Sequence, residues 1–208
     1  MSATDLHHMV AGFAHEAYGS QAVFRTALNA LSHPGRPLDL PLQTALPRQG
    51  HAAAAALLLG LVDSDTGLWL SPLLAGSEAA AWLRFHTGCT WVAEPAEAHF
   101  VWVAQGDALP DLQRLKQGTD AYPDQSATCV IEVQSLQSEV IDGSGLTLQG
   151  PGILGLRALQ VQGLPADFHA QWSRNHASFP CGVDVFLATS SQIVGLPRTT
   201  RLLNQEEA

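Results

Sequence analysis

The chain has 208 residues, of which 46% are hydrophobic and only 14% are charged, and its formal net charge is −9. A chain of this length can bury the core of one large domain, and its negative charge argues against nucleic acid as a partner, because phosphates repel an acidic protein. So low a content of charged residues is unusual for a soluble monomer and indicates that another subunit covers part of the surface.

The cysteines and the apolar segments indicate where in the cell the protein is found. Cys89, Cys129 and Cys181 are far apart and odd in number, which indicates a reducing compartment rather than a disulfide framework. Residues 1–10 lack the basic and long apolar regions of a signal peptide, and the most apolar run, 52–62, is too short to cross a bilayer. We therefore expect a cytoplasmic protein that does not enter a membrane.

The first predicted element is a helix that Ser20 caps. Phe24, Leu28 and Leu31 recur at spacings of four and three, which places them on one face that we expect to be buried. The helix should end at residues 32–35, Ser-His-Pro-Gly, because proline cannot continue the hydrogen-bond ladder and glycine accepts a positive φ.

The following segments alternate between helix and strand. In chain order the pattern predicts an edge strand at 36–40, a buried helix at 51–61, a strand at 68–71, a helix capped by Ser77 or Gly76 at 78–83, strands at 90–93 and 99–104, a polar helix at 107–117, a strand at 128–133, a turn at 143–145, a strand at 146–148 and a helix at 166–174. About five residues at each end should be frayed. This mixture predicts one α/β domain over residues 1–208, with a mixed β-sheet covered by helices.

The last predicted element is a hairpin within residues 179–200, with its turn at 189–192. Asp184 lies at the start of its first strand, and Arg198 and Thr199 follow its second strand, so antiparallel pairing brings these polar groups to the same edge of the sheet. They form either a polar pocket or a structural ion pair between Asp184 and Arg198, and the sequence leaves both interpretations open.

A second polar group lies at the end of the helix predicted at 78–83, in Arg84-Phe85-His86-Thr87. Arg84 and His86 are two positions apart and can meet an anion together. Alternatively, they satisfy the last carbonyl groups of the helix, as cations do at helix C-termini. Thr87 belongs to the same candidate pocket or subunit contact.

Known catalytic patterns do not emerge. The nine histidines are dispersed, which argues against a metal site, and the cysteines lack the clustering of iron–sulfur ligands. Lys116, the only lysine, lies in a polar segment unsuited to a pyridoxal Schiff base, so we expect no cofactor. The glycine-rich segment 143–152 lacks the lysine of a phosphate loop, and catalytic residues stay unassigned.

Several phrases of the sequence nevertheless occur together in one known family. In order, they are Phe24-Arg25, Ser32-His33-Pro34-Gly35, Leu83-Arg84-Phe85-His86-Thr87, Gly150-Pro151-Gly152-Ile153, Phe179-Pro180-Cys181-Gly182-Val183-Asp184 and Leu196-Pro197-Arg198-Thr199-Thr200. Over residues 20–200 the chain resembles the H subunit (PhnH) family of the bacterial carbon–phosphorus lyase system. Cys181 departs from the aliphatic residue expected at its position.

The resemblance implies a subunit of a core complex with the G, I and J subunits, which couples an alkylphosphonate to the ribose C1 of ATP and displaces adenine. It also implies a fold like the large domain of pyridoxal-phosphate-dependent transferases without the cofactor, and a homodimer when the protein is isolated. The leading hypothesis is an accessory subunit that is not catalytic on its own. The alternative is a free-standing enzyme or binding protein for a small phosphorylated or nucleotide ligand, which Arg84 and Arg198 would grip.

Overall fold

The computed structural model describes residues 12–41, 47, 49–138 and 145–203. The helices are α1 Glu16–Ser32, α2 Ala52–Leu61, α3 Pro72–Ala75, α4 Glu78–Thr87 and α5 Phe168–Ala177. The strands are β1 Leu38–Asp39, β2 Gly67–Leu70, β3 Thr90–Trp91, β4 Phe100–Val103, β5 Thr128–Glu132, β6 Ser135–Gln137, β7 Leu146–Gln149, β8 Arg157–Gln162, β9 Asp184–Ala188, β10 Gln192–Leu196 and β11 Arg201–Leu203. The predicted frayed ends lie outside the described residues.

The larger sheet is mixed, as predicted. Its strand order is β1-β10-β9-β5-β4-β2-β3. The strands from β9 to β3 are parallel, whereas β10 and β1 add to β9 as antiparallel strands. The central strands are almost continuously apolar because both faces of the sheet are covered. The amino ends of the parallel strands share one edge of the sheet, where Thr128 of β5 pairs with Asp184 of β9.

This sheet separates two hydrophobic cores. On one face α1, α2, α3 and α4 pack on side chains such as Trp102, Val130 and Phe186. On the other face α5, irregular segments and the smaller sheet cover side chains such as Ile131, Val185 and Leu187. Strand residues therefore contribute to the two cores alternately, as the pleat of a strand requires.

The smaller sheet is antiparallel, with strand order β11-β7-β8-β6. Sequence reasoning predicted only β7 of these strands and missed β6, β8 and β11. The reason is the weak signal of a half-covered sheet. Of the six residues of β8 only Leu159 is buried, and polar glutamines occupy its other face.

The face that α1 turns to the core is not the predicted one. The buried residues are Val23, Ala27 and Ala30, whereas Phe24 and Leu28 are about half exposed, and of the predicted face only Leu31 packs, partly buried, against the core. A Cβ atom placed on Gly195 of β10 would lie 2.5 Å from the backbone carbon of Ala30, so the contact between α1 and the sheet leaves room only for small residues. The helix also begins earlier than predicted, at Glu16 with His15 as its N-cap residue.

Most other predicted elements are confirmed, with one clear exception. Ser77 caps α4 by accepting a hydrogen bond from the Ala80 N–H at 3.4 Å, and α4 extends to Thr87. The polar helix predicted at 107–117 is wrong. Only a single 3₁₀ turn, Leu112–Arg114, forms there, and the buried residues Leu109, Leu112 and Leu115 draw the segment onto the core instead. Most of the turn predicted at 143–145 lies outside the described residues.

Candidate functional site

The two ends of the hairpin meet at the amino edge of the larger sheet, as the sequence predicted. Arg198 donates from Nη2 to Asp184 Oδ2 at 2.7 Å and from Nε to Asp184 Oδ1 at 3.1 Å. The backbone N–H of Arg198 donates to the same Oδ1 atom at 2.8 Å. The side chains of Arg198 and Asp184 are only 11% and 23% exposed. This is a bidentate, mostly buried ion pair, and we call it the hairpin clamp.

The remaining donors of Arg198 are also occupied. Nη1 donates to the carbonyl oxygens of Pro123 at 2.8 Å and Pro180 at 3.5 Å, and Nη2 donates to Ser126 Oγ. A guanidinium group carries five N–H donors, and each of them here has an acceptor within the chain. Arg198 therefore ties three separate segments together and has no N–H group available for an anion.

Helix α5 holds the hairpin clamp from behind. Asn175 is fully buried; its Nδ2 donates to the carbonyl of Val183 at 2.9 Å, and its Oδ1 accepts from the N–H of Val183 at 2.8 Å. Trp172 Nε1 donates to the carbonyl of Thr200 at 2.8 Å, and His176 Nδ1 lies 3.0 Å from the carbonyl oxygen of Arg198. Sequence reasoning missed this face because the predicted helix ended at 174, whereas α5 continues to Ala177 and carries Asn175 and His176.

Thr199 lies in the turn between β10 and β11, where the hairpin clamp meets the glycine-rich segment. A Cβ atom on Gly150 would lie 2.9 Å from the carbonyl oxygen of Thr199, and one on Gly152 would lie 2.2 Å from the carbonyl oxygen of Ser32. Glycine is therefore required at both positions by close backbone contacts. As a result, the phrases around Ser32, Gly150 and Arg198 are neighbours in space although they are distant in the sequence.

The group Arg84, His86 and Thr87 lies elsewhere. Arg84 places its guanidinium carbon 5.0 Å from the ring centroid of Trp91, a cation–π contact. Thr87 Oγ1 donates to the carbonyl of Leu83 at 2.8 Å and accepts from the N–H of Cys89 at 3.2 Å. The structure thus favours the interpretation that Thr87 serves the helix end.

His86 packs its ring edge-on against two aromatic neighbours, Trp82 and Phe85, with centroids 5.1 Å apart in each case. It lines a cavity of about 480 Å³, a size that can hold a small ligand, and the other polar residues of its wall include Glu16 and Asp63. These carboxylates make the cavity acidic and a poor site for a phosphate or phosphonate.

The two predicted groups are not brought together. Arg84 is fixed over Trp91 on β3, and Arg198 is fixed on Asp184 of β9. Four strand spacings separate β3 from β9 in the sheet order, which amounts to roughly 19 Å at about 4.8 Å each. The two arginines therefore cannot grip the same phosphate group in this structure.

Sequence reasoning missed a buried carboxylate, Glu132, at the opposite edge of the sheet. Glu132 is 3% exposed and accepts hydrogen bonds from the N–H of His51 at 2.6 Å, from Trp102 Nε1 at 2.9 Å and from the N–H of Gln105 at 3.3 Å. It borders a cavity of about 420 Å³ that Asp107 and Asp167 also line. A charged residue inside the apolar run of β5 was the available signal.

Metal and thiol chemistry gain no support. Within the described ranges no group of three or more His, Cys, Asp or Glu residues is arranged to hold a metal ion. Complete burial raises the pKa of the Cys129 thiol far above its ordinary value, and burial also raises the pKa of Cys89. Among the helices that the structure describes, none is both long and apolar enough to span a membrane.

Comparison with known proteins gives consistent matches along the chain. The model of the family described as "Bacterial phosphonate metabolism protein (PhnH)" matches residues 11–203. The chain is 37% identical over 190 residues to the alpha-D-ribose 1-methylphosphonate 5-triphosphate synthase subunit PhnH of Rhizobium meliloti (strain 1021), covering 91% of this chain and 93% of that protein. It is 34% identical over 191 residues to the putative C-P lyase subunit protein HtxG of Stutzerimonas stutzeri, covering 90% and 87%.

Proposed function

This chain belongs to the PhnH family of bacterial phosphonate metabolism proteins, and from that premise we propose that it is an accessory subunit of a ribose 1-methylphosphonate 5-triphosphate synthase in phosphonate catabolism. Two relatives named as subunits, one of this synthase and one of a C-P lyase, support the proposal. Both matches extend over most of each chain, so the likeness concerns the whole domain rather than one motif.

The finer parts of the proposal concern the assembly and its reaction. The partners are the G, I and J subunits of the complex, and the reaction joins an alkylphosphonate to the ribose C1 of ATP with loss of adenine. The protein acts in the cytoplasm and forms a homodimer when it is isolated. Its α/β fold, with a parallel sheet core covered by helices, is compatible with descent from the large domain of pyridoxal-phosphate-dependent transferases without the cofactor.

The observation that carries the accessory role is that every N–H group of the Arg198 guanidinium already has an acceptor within the chain. A residue that binds substrate phosphate needs donors directed at the ligand, whereas all five donors of Arg198 are used by Asp184, Ser126 and two backbone carbonyls. We therefore infer that Asp184, Arg198 and Thr199 stabilise the fold behind a subunit contact. Thr87 stabilises the end of α4 by hydrogen bonds, and Arg84 and His86 do so by packing against aromatic side chains.

The free-standing enzyme is the weaker alternative. It required Arg84 and Arg198 to act on one ligand, and these side chains are held at separate places along the sheet edge. The cavity next to Glu132 carries carboxylates rather than cations, so it too is unsuited to a phosphorylated substrate.

Co-expression with the G, I and J subunits tests the proposal. A tagged copy of this chain should purify together with them, and it should restore growth on methylphosphonate to a strain that lacks its own H subunit. The isolated chain should not turn over ATP with methylphosphonate. A tagged copy that never co-purifies, or robust turnover by the isolated chain, would contradict the accessory role.

A further inference from the structure

Four large apolar residues are exposed on α1 and on the loop that contacts the end of this helix. Phe24 and Leu28 are 49% and 52% exposed, and they lie one helical turn apart on the side of α1 that points away from the core. The loop at 150–156 adds Leu154, which is 99% exposed, and Leu156, which is half exposed. We call these four residues together the α1–loop surface.

The loop is held against the end of α1 by direct backbone contact. If residue 152 carried a Cβ atom, that atom would be only 2.2 Å from the carbonyl oxygen of Ser32 and 2.9 Å from Cδ of Pro34. Ser32 is one helical turn beyond Leu28, so the loop that carries Leu154 contacts the chain one turn beyond the exposed residues of α1. Exposing leucines and a phenylalanine side by side costs free energy in water, and such patches mark sites of protein association.

The charge around this surface is opposite to that of the chain. The chain has 19 acidic and 10 basic residues, yet segments 17–38 and 145–166 contain no Asp or Glu. They contribute Arg25, Arg36 and Arg157, and Arg157 lies against Gly35 beside Arg36, with its Cδ atom 3.1 Å from the ideal Cβ position. Within the described ranges, no side-chain hydrogen bond or ion pair engages these three guanidinium groups.

We propose that the α1–loop surface docks onto an apolar surface with a rim of carboxylates on another subunit of the synthase assembly. This inference rests on the proposed function. Arginine is enriched at interfaces, and a basic rim steers an acidic partner to the apolar centre. A second copy of this chain is a poorer occupant, because a two-fold dimer brings each patch against itself and would oppose the same arginines.

The affinity of the full chain for the purified G, I and J subunits tests the proposal. Phe24→Asp/Leu28→Asp should raise the dissociation constant by about tenfold or more, because buried aromatic and apolar anchors carry most of an interface's binding energy. Leu73→Gln is the control. Leu73 is 64% exposed on α3 and lies outside the α1–loop surface, and the uncharged glutamine avoids repulsion with Asp107, whose Oδ2 accepts the N–H of Leu73 at 2.9 Å. This variant should bind like the wild type.

Two further variants separate a docking defect from misfolding. Leu154 is almost completely exposed, so Leu154→Asp should leave thermal unfolding unchanged and still weaken binding several-fold. Arg25→Glu/Arg157→Glu should weaken binding and reduce its dependence on salt, whereas Arg114→Glu, on the remote 3₁₀ turn, should do neither.

The outcomes separate this proposal from the proposed function. If the wild type does not bind the G, I and J subunits, the accessory role itself fails. If the wild type binds and the folded Phe24, Leu28 and Leu154 variants bind equally well, only the docking surface fails. If these variants keep the wild-type affinity for the G, I and J subunits but no longer form a homodimer, the surface binds a second copy of this chain. If the variants keep that affinity but lose a binding to anionic phospholipid vesicles that the wild type shows, the surface binds a membrane. Either result overturns the proposal.

Discussion

Two carboxylates at opposite edges of one sheet are buried by different means. Asp184, at the amino edge, forms an ion pair with the guanidinium group of Arg198. Glu132, at the carboxyl edge, accepts hydrogen bonds from His51, Trp102 and Gln105, all of which are neutral donors. The first arrangement neutralises a charge, whereas the second only solvates it with N–H groups.

The difference indicates what each edge does for the fold. The hairpin clamp joins the segments around Pro123, Pro180 and Arg198, so its loss separates parts of the chain that are distant in sequence. Glu132 joins the start of α2 to the ends of β4 and β5, and removing its charge leaves no cation without a partner. We therefore expect the amino edge to be much more sensitive to single substitutions than the carboxyl edge.

The largest expected effect is that of breaking the hairpin clamp. Arg198→Ala and Asp184→Asn should each lower the free energy of unfolding by about 3 to 5 kcal/mol, because each leaves one member of a mostly buried ion pair without its partner. Chemical denaturation of both variants measures the loss. Both residues replaced together should cost less than the sum of the single changes.

An opposite result would change the interpretation of this edge. If both variants keep the stability of the wild type and still abolish growth on phosphonate, the pair serves binding or chemistry rather than the fold. Arg174→Ala is the matched control, because its ion pair with Asp111 is 3.8 Å long and about half exposed, and its loss should cost at most about 1 kcal/mol.

The second effect concerns the carboxyl edge. Glu132→Gln should lower the free energy of unfolding by about 1 to 3 kcal/mol, because an amide keeps one acceptor oxygen but turns its NH₂ group toward an N–H donor. The same denaturation experiment measures it. A loss larger than that of Asp184→Asn would reverse the comparison between the two edges.

The smallest effect is a dependence on pH at the amino edge. His99 Nδ1 accepts the N–H of Gly67 at 2.9 Å, and desolvation, together with the positive charge of Lys116, lowers the pKa of His99 against a smaller opposing effect of Asp63. The folded protein then binds a proton less readily than the unfolded chain. Stability is therefore complete above the unfolded pKa of about 6.5 and falls as the pH drops through the lower pKa of the folded state.

Comparing denaturation midpoints from about pH 8 to about pH 5 tests this in the wild type and in His99→Asn. Asparagine can accept the N–H of Gly67 without titrating, so its stability should depend less on pH in this range. Equal pH dependence of the two proteins would exclude His99 as the titrating group.

The hairpin and α2 could be predicted because local sequence determines them. Residues 185–188 and 193–196 are apolar on both sides of a polar turn, and α2 consists of alanine and leucine apart from Gly60. The meeting of Asp184 and Arg198 followed from antiparallel pairing alone. Some of the family phrases also contain residues with strict spatial requirements, since Gly150 and Gly152 make close backbone contacts and Arg198 forms a bidentate ion pair with Asp184.

The parts that sequence reasoning missed depend on contacts between distant segments. The backbone of α1 at Ala30 lies directly against Gly195 of β10, and the helix face turned to the core carries Val23, Ala27 and Ala30 rather than the larger Phe24 and Leu28. The smaller sheet is held by β11 and β8, whose strands have little apolar alternation of their own. Glu132 acquires its setting from His51 and Trp102, and no spacing rule connects these positions.

The position of β9 within the larger sheet has a consequence for how the protein is made. β9 pairs with β5 on one side and β10 on the other, although the smaller sheet's β6, β7 and β8 and helix α5 come between β5 and β9 in the chain. While a ribosome produces those intervening segments, the apolar strand β5 of the nascent chain has an open hydrogen-bonding edge. Unpaired edges of this kind invite aggregation, so newly made chains need protection until β9 emerges and occupies that edge.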